Sequence, residues 1–218
     1  MSASTAPLAI YGGAFDPIHL GHLALARAVR DVFDVQVHLL PTGDPRHRDP
    51  ARTTAQHRLA MLEAATEHEP RIAIDTREIE RDGPSYTVDT LTELRAERGL
   101  ECPLLLTLGA DAFAGLAIWH RWRELIGLAH FIIALRPGFA LGDVKPELAQ
   151  LLAQRRSEHP AELRHAPAGR IFELPMLPHP QSSSEIRRRI AAGLSLEGWV
   201  APAVERHIRT HGLYGSGI

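Results

Sequence analysis

Short apolar runs recur along the chain at Leu8–Tyr11, Val35–Leu40, Arg71–Asp75, Leu104–Gly109, Phe131–Leu135 and Ile171–Leu174, with helical patterns or long connections between them. Runs of this length, punctuated by glycine, proline and aspartate, read as buried strands. The stretch Leu20–Phe33 instead places Leu23, Ala26, Val29, Val32 and Phe33 at helical spacing. Strands alternating with helices predict an α/β fold, a Rossmann-like doubly wound parallel sheet. Beyond Pro180 the helical patterns Ser183–Ala192 and Ala201–His211 follow each other with no strand between them. They predict a small C-terminal helical extension over residues 181–218, on a sheet core formed by residues 1–180. Arg136–Gly142 is rich in glycine, and Pro160–Gly169 reads as an irregular surface connection too short to be a domain linker. One domain spanning residues 1–218 is expected.

Composition narrows the class of partner. A chain of 218 residues can bury roughly 70% of its unfolded surface. With 44% hydrophobic and 23% charged residues and a net charge of −2, it has no global attraction for nucleic acid or acidic membranes. The N-terminus lacks the basic start and apolar core of a signal peptide, and the apolar stretch Pro103–Trp119 is broken by Asp111, so a cytoplasmic location is expected. The single cysteine, Cys102, excludes an intramolecular disulfide and a multi-cysteine zinc site, and its apolar neighbours give it a structural reading. Most of the thirteen histidines, His57, His130, His159 and His179 among them, are scattered between arginines and prolines. His207 and His211 stand at i, i+4, a spacing able to hold a divalent metal, but without a third ligand nearby they read as part of an exposed terminal helix.

The chemistry concentrates in Gly12–His22, GGAFDPIHLGH, where the first strand turns into the first helix. Glycines at a strand end let a nucleotide approach the backbone. His19 and His22, beside a helix start with its unpaired amides and positive dipole end, would face a bound anion together. A bland reading also exists, in which any glycine-rich β–α turn carries such residues and His22 is simply exposed. In a doubly wound sheet, ligands sit beyond the carboxyl ends of the strands, where Gly12–His22, Pro41–Arg48 and Gly109–Asp111 all fall. The string is similar to the first motif of the (T/H)xGH nucleotidyltransferases, GGxFDPxHxGH, with every fixed position present.

Further blocks extend that resemblance to residue 187 in the order usual for bacterial nicotinate-nucleotide adenylyltransferases. The loop PTGDPRHR matches their PxxxPPHR pattern at His47 and Arg48, while Arg46 replaces the second proline. The block PSYTVDTL, Pro84–Leu91, reads as a helix start with Pro84 and Ser85 in its first positions and Val88, Leu91 and Leu94 on one face. In the family this start binds the nicotinate end, so amides at Tyr86 and Thr87 are expected to receive a pyridine carboxylate. Gly109 and Asp111 fit the family's GxD block, and Trp119 of IWHRW fits its stacking aromatic, whereas Trp122 reads as core packing. QSSSEIRRRI resembles the ISSTxIR block through Ser182, Ser183, Ser184, Ile186 and Arg187, with Gln181 and Ser184 as substitutions and Arg188 and Arg189 as surface residues.

The resemblance implies adenylyl transfer from ATP to nicotinate mononucleotide, giving deamido-NAD and pyrophosphate. It implies catalytic roles for His19, His22 and Arg187, and ATP binding by these residues with Gly12, Gly13, Phe15, Gly21, Gly109, Asp111, Ser182, Ser183 and Ser184. His47, Arg48, Ser85, Tyr86, Thr87 and Trp119 would hold the acceptor. Mg²⁺ would be carried mainly by the ATP phosphates, with no dedicated protein ligands. The partners are these small molecules rather than nucleic acid or membrane; a homo-oligomer is compatible with a sequence that does not fix the oligomeric state. The alternatives are an adenylyltransferase acting on the amide mononucleotide or another phosphate acceptor, and a non-catalytic nucleotide sensor.

Overall fold

The computed structural model describes residues 6–43, 53–135 and 144–215, so His47 and Arg48, with Arg46 and Arg136–Gly142, lie outside the described residues. The described strands are β1 (Leu8–Gly13), β2 (Gln36–Pro41), β3 (Ile72–Ile74), β4 (Leu104–Gly109), β5 (His130–Leu135), β6 (Arg156–Ser157) and β7 (Ile171–Pro175). They form one sheet in the order β3-β2-β1-β4-β5-β7-β6, and every pairing is parallel. The chain builds outward from β1 through β2 to β3, then returns to the other side of β1 with β4. That reversal opens a crevice at the carboxyl ends of β1 and β4.

Alternating side chains feed two cores, one on each face. Ala9, Val37, Leu39, Leu105 and Ile132 face a core closed by α1 (Leu20–Phe33), α2 (Ala55–Thr66), α8 (Ser183–Ala191) and α9 (Pro202–Thr210), which contribute Leu23, Val29, Met61, Leu62, Ile186, Val204 and Ile208. Leu8, Ile10, Leu104, Leu106, Phe131 and Ile133 face the other, closed by α4 (Thr87–Arg98), α5 (Ala110–Ala114), α6 (Trp122–Leu128) and α7 (Pro146–Arg155) through Val88, Leu91, Phe113, Leu125 and Leu148. Burial on both faces makes the central strands continuous apolar runs rather than alternating ones. A short α3 (Arg77–Glu80) lies between β3 and α4. Cys102 is fully buried beside β4, in keeping with its structural reading. No helix among the described residues is long and apolar enough to cross a membrane.

Several expectations need correction. The edge strand β6 has no apolar run because Arg156 is exposed and only Ser157 turns inward. Val32 is 43% exposed, since it falls at the margin of the α1 stripe formed by Leu25, Ala26, Val29 and Phe33. Pro160–Gly169 is more than a surface connection: Pro160–Arg164 makes a 3₁₀ turn that inserts buried Leu163 into the first core. Pro84 and Ser85 precede α4, whose N-cap is Tyr86, because the Ser85 hydroxyl donates 3.1 Å to the Glu78 carbonyl and holds the chain off the helix axis. Arg189 is half-buried, its guanidinium 4.6 Å from the centre of the Trp199 ring, whereas exposed Arg188 pairs with Glu185 at the surface.

Candidate active site

His19 is the N-cap of α1. Its Nδ1 accepts from the His22 N–H at 3.2 Å, and His22 Nδ1 accepts from the His19 N–H at 3.3 Å. Two imidazoles thus make the reciprocal capping box that a serine and a glutamate make elsewhere. The rings stack with centroids 3.5 Å apart and planes 16° from parallel. A neutral ring whose Nδ1 accepts carries its proton on Nε2, so both histidines are set as Nε2–H donors. His19 is buried and His22 half-buried, which removes the reading of His22 as an ordinary exposed residue. A Cβ on Gly21 would come within 3.1 Å of His19 Nδ1, so glycine there preserves room for the stack.

The turn before this helix is held rigidly. Phe15 sits at φ 48°, a left-handed conformation rare for a bulky side chain. Its buried ring meets Tyr11 edge-on at 5.5 Å and His22 at 5.0 Å. A Cβ on Gly13 would lie 3.2 Å from the same ring. The Phe15 side chain therefore belongs to the core. Surrounding contacts of this kind are what keep a strained conformation populated at a functional turn.

The C-terminal extension closes on the same turn. Arg187 on α8 donates at 2.6 Å to the Asp16 carbonyl and at 3.2 Å to the Ser184 hydroxyl, and Ser183 donates at 2.9 Å to the Pro17 carbonyl. Ser182 caps α8 by accepting from the Glu185 N–H at 3.2 Å. The hydroxyls of Ser182 and Ser183 thus cap α8 and fasten its start against the loop. Two residues missed in the sequence act here as well. Fully buried Arg58 of α2 donates at 2.9 Å to the Ala14 carbonyl, and the Tyr214 hydroxyl donates at 2.6 Å to the Asp16 carboxylate. Burial and the Asp16 contact push the Tyr214 phenol well above its ordinary range. Neither carried a signal in the sequence: Tyr214 lies 198 residues from its partner Asp16, and Arg58 is one arginine among many.

Beside the turn lies a cavity of about 450 Å³, within the size range of small-ligand sites. Gly12, Gly13 and Gly109 line its strand side, while Ser85, Tyr86, Thr87 and Trp119 line the other. The expected acceptor residues within the described chain therefore converge on one space. Trp122 packs instead against the second core, as expected. Asp111 is exposed on the first turn of α5, outside the cavity lining. His19, His22 and Arg187 stand outside the lining too; His22 meets the lining residue Tyr11 ring to ring, with centroids 6.0 Å apart.

The Tyr86 side chain makes no capping hydrogen bond to α4, while its carbonyl accepts from the Asp89 N–H at 3.0 Å. Two lining residues carried no sequence signal. Glu78 is buried with its Oε1 accepting from the Thr90 hydroxyl at 2.8 Å, and burial pushes its carboxyl up. Gly43 packs so closely on α3 that a Cβ would lie 2.5 Å from the Glu78 carbonyl oxygen.

A parallel sheet with its crevice at the strand-order reversal, and a glycine turn leading into a helix start there, defines a nucleotide-binding α/β protein. Comparison with known proteins narrows this. The cytidylyltransferase-like family matches residues 10–189. A Stenotrophomonas maltophilia protein named "Probable nicotinate-nucleotide adenylyltransferase" is 46% identical over 212 residues, covering 94% of this chain and 96% of its own. A Marinobacter nauticus protein of the same name is 46% identical over 210 residues, covering 95% and 96%. The solved Plasmodium falciparum nicotinic acid mononucleotide adenylyltransferase complexed with NaAD superposes with a TM-score of 0.73 over 97% of this chain and 98% of its own; at 18% identity this speaks for the fold alone. The chain belongs to the cytidylyltransferase-like family, alongside the nicotinate-nucleotide adenylyltransferases it is similar to over nearly its whole length.

Proposed function

We infer that the protein transfers the adenylyl group of ATP to nicotinate mononucleotide, forming deamido-NAD and pyrophosphate in NAD biosynthesis. The observation that carries this reading is the stacked His19–His22 pair at the start of α1, adjoining the cavity that Tyr86, Thr87 and Trp119 line. The similarity to named nicotinate-nucleotide adenylyltransferases over more than nine-tenths of the chain supports the same reaction.

In the reaction, a phosphate oxygen of the mononucleotide attacks the α-phosphorus of ATP in line. The bond from that phosphorus to the β-phosphate's bridging oxygen breaks, and pyrophosphate leaves with the electron pair. The nucleophile is already anionic, so the protein's task is to align two anions and stabilise the spreading charge. The Nε2–H groups of His19 and His22 donate to the α- and β-phosphate oxygens, assisted by the first amides of α1. Arg187 and the start of α8, with Ser184, hold the outer phosphates. The Trp119 face packs on the cationic pyridine ring, and the Tyr86 and Thr87 amides receive its carboxylate. His47 and Arg48 belong to the acceptor side on the family pattern.

Mg²⁺ supplies charge neutralisation on the phosphates. The donor set suits an ion bound mainly by ATP, because the Asp16 carboxylate already accepts from Tyr214 and Asp111 stands apart on the surface. The substrates are small cytoplasmic metabolites, and the protein works in that compartment.

The test is to incubate purified protein with ATP and Mg²⁺, and with either nicotinate or nicotinamide mononucleotide, and to assay dinucleotide and pyrophosphate. Product from the acid, with the amide much poorer, is expected. Preference for the amide would keep the chemistry and overturn the carboxylate subsite; binding without product from either would support a nucleotide sensor.

A further inference from the structure

His57 lies in the first turn of α2; His207 lies in the last turn of α9, and His211 is that helix's C-cap. One ring nitrogen from each lies within 4.8 Å of the other two. His57 Nδ1 and His207 Nε2 are 3.1 Å apart, although 150 residues separate them in sequence. The third ligand missing from the His207–His211 pair in the sequence is thus supplied by the fold, from a helix on the far side of the chain.

We propose that these three imidazoles form a binding site for a borderline transition-metal ion, Zn²⁺ or a divalent neighbour such as Co²⁺ or Ni²⁺, which clamps α9 to α2. A tetrahedral ion bound at ~2.0–2.1 Å sets its nitrogen ligands about 3.3 Å apart. The His57–His207 separation is already within a few tenths of an ångström of that value, and the widest separation in the trio has to close by about 1.5 Å at most. His211 is exposed, so a rotation of its ring achieves this, and the fourth position opens to water. Imidazole nitrogen selects Zn²⁺, Ni²⁺ or Co²⁺ over Mg²⁺, which makes the site different in kind from the ion that ATP carries.

Its position has a consequence for the crevice. Arg58, the residue after His57, donates to the Ala14 carbonyl, and three residues beyond His211 the Tyr214 hydroxyl donates to Asp16. An ion at this site fastens together the two elements that hold the glycine–histidine turn from behind.

The experiment uses untagged full-length protein, stripped with a chelator and dialysed, then titrated separately with Zn²⁺, Co²⁺ and Mg²⁺ in the absence of ATP. Thermal unfolding is followed throughout, and visible absorption with Co²⁺. Zn²⁺ and Co²⁺ are expected to raise Tm by about 5 °C or more at a hundredfold excess over Kd. Co²⁺ should also develop the intense bands of four-coordinate geometry at one ion per chain, and Mg²⁺ should do neither. His207→Gln and His211→Gln should each lose the shift and the bands, as should the double variant, while adenylyl transfer assayed with ATP and Mg²⁺ before any Zn²⁺ or Co²⁺ is added is unchanged. An unmoved Tm with Zn²⁺, or bands and a shift that survive in the double variant, would overturn the site. If the double variant fails to fold, His211→Gln alone, at an exposed position, carries the same comparison.

Discussion

The Tyr214 hydroxyl donates a 2.6 Å hydrogen bond to the Asp16 carboxylate across a sequence separation of 198 residues, so the last turn of the described chain holds the first loop of the site. Replacing Tyr214 by Phe takes that donor from the buried Asp16 carboxylate, a change that costs roughly 1.5–3 kcal/mol for a hydrogen bond to a charged group. We expect Tyr214→Phe to lower Tm and reduce kcat together. Because the folded state pushes the phenol above its ordinary 10.0, the stabilisation is fully present below that pH and is lost as pH rises past it. The Tm difference between the parent and Tyr214→Phe should therefore stay constant from about pH 6 to pH 9. A difference that changes across that range would separate the effect from this hydrogen bond.

On the proposed mechanism His22→Ala removes one donor to the transferred phosphate, and it also removes half of the imidazole capping box. Loss of a preorganised donor costs about 10²–10³ in kcat, while loss of a helix cap costs about 1 kcal/mol of stability. Turnover should collapse in a variant that remains folded at 25 °C by circular dichroism. Near-normal turnover would remove His22 from the chemistry.

Thr87 is the first residue of α4, a position where proline is tolerated because its missing N–H has no helical partner. Tyr86, before it, is extended at φ −109° and ψ 137°, as a residue preceding proline must be. Thr87→Pro should therefore keep the helix and delete one amide from the proposed carboxylate subsite. The expected readout is about a tenfold fall in kcat/KM for nicotinate mononucleotide and little change for the amide, following the worth of a hydrogen bond to a charged group. Equal losses on both substrates would place carboxylate recognition elsewhere.

Gly43→Ala sets a methyl group 2.5 Å from the Glu78 carbonyl oxygen, a backbone atom that cannot swing away. Overpacking of this sort costs about 1–3 kcal/mol. Because Glu78 and Gly43 both line the cavity proposed to hold the acceptor, KM for the mononucleotide should rise more than KM for ATP. Equal changes in the two KM values would show that the packing reaches the whole crevice.

His130 is fully buried on β5, where Nε2–H donates at 2.8 Å to the Ala166 carbonyl and Nδ1 accepts at 3.1 Å from the Arg170 N–H. Only the neutral ring satisfies both partners, and burial pushes its pKa below 6.5. The unfolded chain then binds a proton that the folded one does not, so stability is complete above pH 6.5 and falls as pH drops below it. Denaturant midpoints measured between about pH 7.5 and 5.5 should decline, and His130→Gln should flatten part of that slope while lowering the midpoint at the upper end. An unchanged slope in the variant would assign the acid sensitivity to other groups.

Much of this molecule was legible before any coordinates. Apolar runs near β1, β2, β4, β5 and β7 announced the parallel sheet because strands buried on both faces need no alternation. Gly12, Gly13, His19 and His22 were legible because a β–α turn compresses their interaction into eleven consecutive residues, Gly12–His22. Local order of that kind is written along the chain, in spacing and in helix-start chemistry. The two-residue β6, the engaged hydroxyls of Ser182 and Ser183, and the core position of Phe15 left no periodic trace. Each depends on what the rest of the chain brings alongside.

By itself, then, the sequence determined the doubly wound sheet, the glycine–histidine turn into α1 and the candidate residues Ser85–Thr87 and Trp119, which line one cavity. Only the tertiary structure decided that Tyr214 would hold Asp16, that Arg58 would donate to Ala14, that Gly43 would lie on Glu78 and that His57 would join His207 and His211. The physical reason is the same in each case. These contacts form when two cores close around one sheet, and the packing that selects them has no repeat along the chain from which it can be read.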